Sequence, residues 1–549
     1  MFISRVTTSL LFDRLNAESN APEMLAADRR VQLSGLPTAT LGQLVTSPIN
    51  NSIRNVSDQY DVEGANVPLF RPADIQGIWL NTASALRVTR EFENQHEKAR
   101  VYPGNIVIAA AGTVAAVARV PSDIEYGGIN GSFARVVLKR ECDGFIVSYL
   151  ASKYGYQSMM RWAVGSVQKH LNLEDLPKVN VVFPKAPVQK YVGDKVRQAE
   201  RLRTFARLEQ SVGIELLELL LRKKLTEEGL ISKIGENNMP TSYYRDLIAR
   251  LNSDGASIAR ESRKQSRVTR KDLTERLDAG FYRPDFLENA KELQACGVSL
   301  DNIESLSEKC NCGATPVDVA YESDGQGLIR TSDVRPNRFN ARSVLRTRRL
   351  NVVIGSPVAA VNGDLLYTMS GTIGYAAVVP ATNEVFSFSN TIARARIKAP
   401  HNPWYIAAFF NSSIGYKQSL RLTSGGIQGH VMPNPFKRLT VPVPDPRIQD
   451  FIGGKLQVAD SGNRLSEQLV AAAKLLVEAL IERKVTEAEL IDAQTRLEQG
   501  DDSGDRAILS RLYEGGWDET ETRALFPDLD AYYETLRMVD QAQADGASK

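Results

Sequence analysis

The chain has 549 residues, too many for one ordinary domain, so two to four domains are expected. With 43% hydrophobic and 24% charged residues it is not a disordered chain. No apolar run approaches the roughly 20 residues that span a bilayer. The N-terminal segment Met1 to Arg5 lacks a signal-peptide core, so a cytoplasmic protein with no membrane partner is expected. The net charge of +2 conceals a division: Gly500 to Lys549 carries 12 acidic and 5 basic residues, which leaves the rest at +9. A basic body suits a polyanion such as DNA.

From the N-terminus, a short helical or extended entry leads into a strand-rich region with Gly, Pro and Asn turns. Ile106 to Ala109 is its clearest strand, and between Phe145 and Arg161 the spacing turns helical. A Gly-rich loop, one more strand and a Pro-rich corner follow. A long helix from about Pro187 to Ile231 then ends the first half, and its glycines allow bends. Phe205, Leu208, Val212, Leu216 and Leu219 give it a coiled-coil-like seam.

The second half repeats this order at an offset near 260. Arg14-Leu-Asn-Ala returns as Arg276-Leu-Asp-Ala, with Pro22 and Leu25 on Pro284 and Leu287. Leu69-Phe-Arg-Pro-Ala-Asp-Ile75 returns as Leu328-Ile-Arg-Thr-Ser-Asp-Val334. The segment from Gly104 to Pro121 returns from Gly363 to Pro380. Gly165-Ser-Val-Gln-Lys-His170 returns as Gly425-Gly-Ile-Gln-Gly-His430. Leu225 to Ile231 falls on Val485 to Ile491, within a second long helix from about Arg447 to Leu497. Leu465, Leu469, Ala472, Leu476 and Ala479 give that helix the same kind of seam. One offset held across half the chain marks a tandem duplication.

Between the halves, Ser253 to Arg276 is rich in Arg and Lys, either as a solvated linker or as a strip for phosphates or a partner. After about residue 498, the residues Trp517, Leu525, Phe526, Leu529, Tyr532, Tyr533 and Leu536 suggest an amphipathic docking helix. Such an element would pack on the long helices or bind a partner.

These repeated motifs, with the Pro-rich corners that precede the long helices, resemble the specificity subunit of type I restriction-modification systems. The likeness covers roughly residues 10–235 and 272–495. It implies an α+β protein with two tandem target-recognition domains built on strand-rich cores. These alternate with two long spacer helices that form an antiparallel coiled-coil-like pair. The expected organisation is 1–186 first recognition domain, 187–235 first spacer helix, 236–271 linker extension, 272–444 second recognition domain, 445–497 second spacer helix and 498–549 acidic helical tail. The resemblance also implies a bipartite double-stranded DNA site, read one half per domain. It implies two adenine-methylating partner subunits and, in restriction complexes, a translocating nuclease. The linker extension and the tail depart from the family pattern and leave open a variant phage-defence system.

Bases are read mainly in the major groove, while phosphate contacts position the protein. Residues shared by the halves cannot tell two different half-sites apart, which makes them framework or phosphate contacts. Arg71 and Arg330 are shared, beside Asp74 and Asp333, either to be oriented by the Asp or to form a local ion pair. Gln168 and Gln428, and His170 and His430, are shared too. Each lies in a turn that touches the DNA backbone or, the preferred alternative, in a buried hydrogen-bonded turn. Base readers are sought where the halves differ: Asn81, Thr82, Arg87 and Arg90 in the first domain, and Asn337, Arg338, Asn340 and Arg342 in the second. Arg335, Arg338, Arg342, Arg346, Arg348 and Arg349 make the most basic stretch of either domain. Arg161, Lys169, Arg421 and Ser424 are further DNA-contact candidates.

No catalytic site is expected. There is no phosphate-binding Gly-x-x-x-x-Gly-Lys-Ser/Thr loop. Asn434-Pro-Phe436 lacks the second proline of a methyltransferase motif. The four cysteines, with Cys310 and Cys312 the only close pair, read as reduced thiols, so no metal or cofactor is expected. The competing reading is an interaction scaffold that does not touch DNA, its arginines being scattered surface charge.

Overall fold

The computed structural model describes residues 19–50, 60–139, 142–165, 168–235, 240–253, 268, 276–314, 321–347, 357–424, 429–520 and 522–547. The chain forms two compact units, residues 1–204 with 463–539, and residues 205–462 with 540–549. Each unit holds one strand-rich domain and parts of both long helices.

In the first unit a four-stranded sheet runs Leu86–Val88, Val67–Phe70, Gly127–Ile129, Arg100–Val101. Its central pair is parallel, with Leu69 opposite Gly128. A five-stranded sheet runs Phe133–Val136, Ile106–Ala109, Val117–Arg119, Trp79–Leu80, Ile75–Gln76. Alternate residues of these strands, among them Phe70, Leu80, Val107, Ala109, Ala118 and Phe133, meet in one buried core.

The second unit repeats this plan. One sheet runs Leu345–Thr347, Tyr321–Ile329, Phe386–Phe388, Ala359–Ala360, with Leu328 opposite Ser387 in the parallel pair. A second runs Ser307–Cys312, Ile392–Ile397, Leu365–Thr368, Ala376–Val378. The register is conserved in detail: Ile106 faces Arg119 as Leu365 faces Val378. The duplication visible in sequence is therefore a duplication of hydrogen-bond ladders.

Each domain continues into a pair of short helices, Asp143–Ala151 with Lys153–Met160, and Pro403–Asn411 with Ser413–Arg421. Ser152 and Ser412 cap the second helix of each pair, accepting from Gly155 and Gly415 N–H at 3.3 and 3.2 Å. A Cβ on either glycine would lie 2.0 Å from the carbonyl oxygen of Tyr149 or Phe409, so the tight corner requires Gly.

The long helices are Ala186–Leu221 and Pro446–Ile481, 36 residues each, or about 54 Å at 1.5 Å per residue. They run unbroken through their glycines and end earlier than the sequence spacing suggests. Lys223 and Arg483 adopt left-handed backbone, with φ of 56° and 59°. The following amides, Lys224 and Lys484, donate back to Leu219 and Ala479 at 2.9 Å. Shorter helices, Glu227–Gly235 and Glu487–Glu498, follow each turn. In the second unit Lys455 meets Glu209 at 2.9 Å, and Asp445 N–H donates to Glu227 at 2.9 Å. Further along the first helix Gly213 lies against the Ile452 carbonyl, so the partner's number falls from 455 to 452 as that helix advances and the two segments run antiparallel.

The repeat extends further than the sequence indicates. Thr241–Ser253 follows the first short helix as Ser503–Leu509 follows the second, and each packs by an equivalent lysine. In the second unit Lys455 lies against the Tyr244 and Phe451 rings and 3.1 Å from Thr241. In the first unit Lys195 lies against Tyr191 and pairs with Asp505. The tail therefore packs on the first long helix, and Tyr532 also donates to Gln198 there at 3.1 Å. Only part of it is the expected amphipathic helix. Trp517 sits in a hairpin, Leu512–Tyr513 against Gly516–Trp517, and the helix is Leu529–Ala547. No helix among the described residues is long and apolar enough to cross a membrane.

Candidate nucleic-acid interface

Both domains carry the same polar framework at one corner of the sheet. The Arg71 backbone N–H donates to Asp74 at 2.8 Å, and its guanidinium reaches both carboxylate oxygens at 3.3 Å. Arg71 also donates to the Ser84 carbonyl at 3.2 Å, and the Ser84 hydroxyl donates to Asp74 at 2.9 Å. Arg330, Asp333 and Ser343 repeat every one of these contacts within 0.1 Å. Asp74 and Asp333 are buried, while the arginine side chains keep 36% and 38% of their exposure. The aspartate thus orients the arginine through an ion pair, joining the two alternatives left open by the sequence.

This register corrects several expected base readers. Asn81 and Asn340 are equivalents, not differing positions: their backbone N–H groups donate to the Asp74 and Asp333 main-chain carbonyls at 2.8 and 2.9 Å. Arg87 and Arg346 are equivalents as well. Arg87 donates to the Asn66 and Thr82 carbonyls at 3.4 and 3.0 Å, and Arg346 to Gly325 at 3.2 Å. Arg346 is further fixed by Glu384 at 2.5 Å. The full pattern is Arg-x2-Asp-x6-Asn-x2-Ser-x2-Arg in both halves. The 259-residue offset thus continues past Asp74, and these residues hold equivalent places in the two domains.

Positions that differ lie beside the framework. Two-residue hairpin turns project from it, Gly77-Ile78 and Pro336-Asn337. The left-handed residue is the first in one turn, Gly77, and the second in the other, Asn337, because proline cannot take positive φ. Asn337 is buried and accepts from Asn411 at 2.7 Å, so it supports the turn rather than facing outward. Arg338 is also largely enclosed. Burial lowers its pKa, and the charge of Asp460 opposes that shift. Gln76 and Arg335 are exposed at equivalent hairpin positions, as are Ala83 and Arg342 a few residues on. Arg90 is exposed, 3.6 Å from Glu125, and Thr82 is half-buried. Arg348 and Arg349 lie outside the described residues, as do the linker cations from Arg260 to Lys271.

The second cluster is the Gly-rich loop. His170 exchanges backbone hydrogen bonds with Val164 at 2.8 Å, and His430 with Ser424 at 2.8 and 2.9 Å. The turn is hydrogen-bonded as expected, but both imidazoles are exposed, so the preferred buried-turn alternative fails on burial. His430 Nδ1 meets the Ser370 hydroxyl at 2.5 Å. Gln168 is exposed and Lys169 half-buried beside an open cleft of about 540 Å³, which Tyr156 and Thr113 also line. Gln428 lies outside the described residues. Arg161 is 5% exposed and ion-paired with Asp28, which removes it from any DNA-facing surface. Arg421 is half-buried against Phe281. Among the described residues no group of three or more His, Cys, Asp or Glu is placed to hold a metal ion. Burial pushes the Cys310 thiol up to about 11, away from the thiolate form.

No family model and no curated protein matches the chain. Among solved structures it is similar to the S subunit of a type I restriction-modification system from M. genitalium. The identity is 12%, covering 82% of this chain and 96% of that one, with a TM-score of 0.39. It is also similar to the HsdS subunit from Thermoanaerobacter tengcongensis, at 12% identity, 82% and 97% coverage and a TM-score of 0.24. Likenesses this distant carry no functional weight, which falls instead on the chain's own residues.

Proposed function

We propose that the chain is a DNA-reading specificity subunit of a restriction-modification or methylation-based defence complex, with catalysis left to its partners. The observation that carries this is the pairing of identical frameworks with different exposed residues. Arg71-Asp74 and Arg330-Asp333 hold the same geometry, while Gln76 and Ala83 in one domain stand where Arg335 and Arg342 stand in the other. A scaffold that recruits one kind of protein twice has no need to vary the positions beside an unvaried frame. Arg and Gln beside the hairpin turns suit guanine and adenine in the major groove. Each domain would read one half of a bipartite site. Its adenine-methylating partners, two by the symmetry of the repeat, would dock on the helical parts.

Methylome sequencing of a host with and without the gene tests this. Loss of one bipartite adenine-methylation motif is expected. An unchanged methylome, with no salt-dependent DNA binding by the purified chain alone or with a methyltransferase partner, would leave the scaffold reading.

A further inference from the structure

The two domains share an arginine whose surroundings have diverged. Arg161 and Arg421 stand at matched places, and each donates Nε–H to a main-chain carbonyl at 3.1 Å, Ser19 in one case and Phe281 in the other. In the first domain the guanidinium continues to an ion pair with Asp28 and to Asn20 Oδ1 at 3.4 Å. Its charge is met inside the protein. Asp28 lies on the helix Pro22–Ser34, whose counterpart is Pro284–Gln294. Counted from the opening prolines, Ala290 stands where Asp28 stands.

Arg421 therefore keeps the anchor, and among the described residues it has no equivalent of Asp28. Among the described residues no carboxylate lies within ion-pair distance of it. Its guanidinium carbon lies 4.2 Å from the centre of the Phe281 ring, and burial disfavours its charged form. A partly buried cation without an anion is costly unless one arrives. Beside it lies a cleft of about 560 Å³ lined by Arg276, Arg283, Arg421, Thr423 and Ser424, with Asp278 the one acid among the described lining residues.

The other two guanidiniums are held rigidly. Arg276 donates to Asp278 at 2.8 Å and to the Leu422 and Thr423 carbonyls at 3.0 and 2.8 Å. Arg283 forks onto Asp285 at 3.0 and 2.8 Å, with its face over Phe286. Planar donors fixed in this way match the oxygens of a tetrahedral oxyanion.

We propose that this cleft of the second domain, whose matched arginine in the first domain is paired with Asp28, binds a phosphate oxyanion. The phosphate comes either from the DNA backbone, which rests on the function proposed above, or from a free phosphate-bearing ligand, which does not.

The test uses the full chain and three variants, Arg421→Gln, Arg283→Gln and Ala290→Asp. Each is titrated with inorganic pyrophosphate and, separately, with random-sequence duplex DNA at several salt concentrations. Ala290→Asp returns the carboxylate of the first domain while keeping every arginine, so it guards against misfolding of Arg421→Gln. Arg283→Gln lies on the exposed rim. Both are expected to weaken pyrophosphate binding at least tenfold with an unchanged Tm. If DNA is the source, the slope of log K against log salt also falls by about 0.9 per lost contact. If a free ligand is the source, pyrophosphate binding falls and the DNA slope stays. A lowered slope without pyrophosphate binding still supports the DNA source. The proposal is overturned if neither pyrophosphate binding nor the salt slope responds to any of the three variants. Absence of DNA binding by the unaltered chain would instead count against the proposed function and leave the pyrophosphate result to decide the cleft.

Discussion

Lys195 and Asp505 form an ion pair at 2.7 Å with side chains 0% and 1% exposed, although 310 residues separate them in the chain. The carboxylate also accepts from the Tyr191 and Tyr533 hydroxyls at 2.5 and 2.6 Å. Lys195 and Tyr191 would be left without this acceptor if the tail were removed. Asp505→Ala is therefore expected to destabilise the first unit by about 3–5 kcal/mol, the cost of stranding a buried charge. Truncation after residue 500 should cost at least as much, since it also uncovers Tyr191. Denaturant unfolding measures both, and a change below about 1 kcal/mol would show that the tail is a passive appendage.

A second site should make stability depend on pH. Glu482 is opposed by burial, which raises a carboxyl pKa. Bonds from Lys153, Tyr154 and Lys484 outweigh that and pull it down to about 2. A depressed folded-state value means that this stabilisation is present above the ordinary carboxyl range and lost as pH falls from about 5 towards 2. Lys153 is 56% exposed, so screening limits the effect to about 1–2 kcal/mol. Glu482→Gln should flatten that limb of the unfolding profile, which acid titration at fixed denaturant would reveal.

The framework aspartates give a domain-selective prediction. Asp74 accepts from the Arg71 amide and guanidinium and from Ser84, all on a 1% exposed side chain. Asp74→Ala should cost about 2–4 kcal/mol and loosen the first domain's hairpin. Asp333→Ala should do the same in the second domain. Limited proteolysis locates the loosened domain, and loosening of both by either variant would contradict the independence of the two frames.

Much of this was legible in sequence because the duplication preserved spacing. The offset carried Leu69 onto Leu328 and Ile106 onto Leu365, and the ladders follow it residue for residue. Asn81 pairs with Asn340 and Arg87 with Arg346 because the same register continues past Asp74, beyond the motif in which the likeness is plainest. The ends of the long helices were hidden because Lys223 and Arg483 take a left-handed turn usually marked by Gly. The roles of the tail and of Thr241–Ser253 were hidden for a different reason. The sequence shows no link between Lys195 and Asp505, and the matching Lys455 draws its carboxylate from Glu209 on a helix.

The sharpest prediction concerns the positions beside the frame. Gln76 and Arg335 are equivalent, exposed and at hairpin ends, and the turn next to each is held by its own left-handed residue. Exchanging them should leave folding within about 0.5 kcal/mol, since neither side chain is buried. Gln76→Arg should alter base preference in one half of the bipartite site and leave the other half intact. Arg335→Gln should do the converse, with a single mismatched base pair costing about 1–3 kcal/mol of discrimination. Methylation-motif sequencing with the partner present reads both halves at once. If both halves respond to one exchange, the domains do not read separately. If neither does while Arg342→Ala shifts the second half, the reading edge lies past the hairpin, on the segment after Asn340.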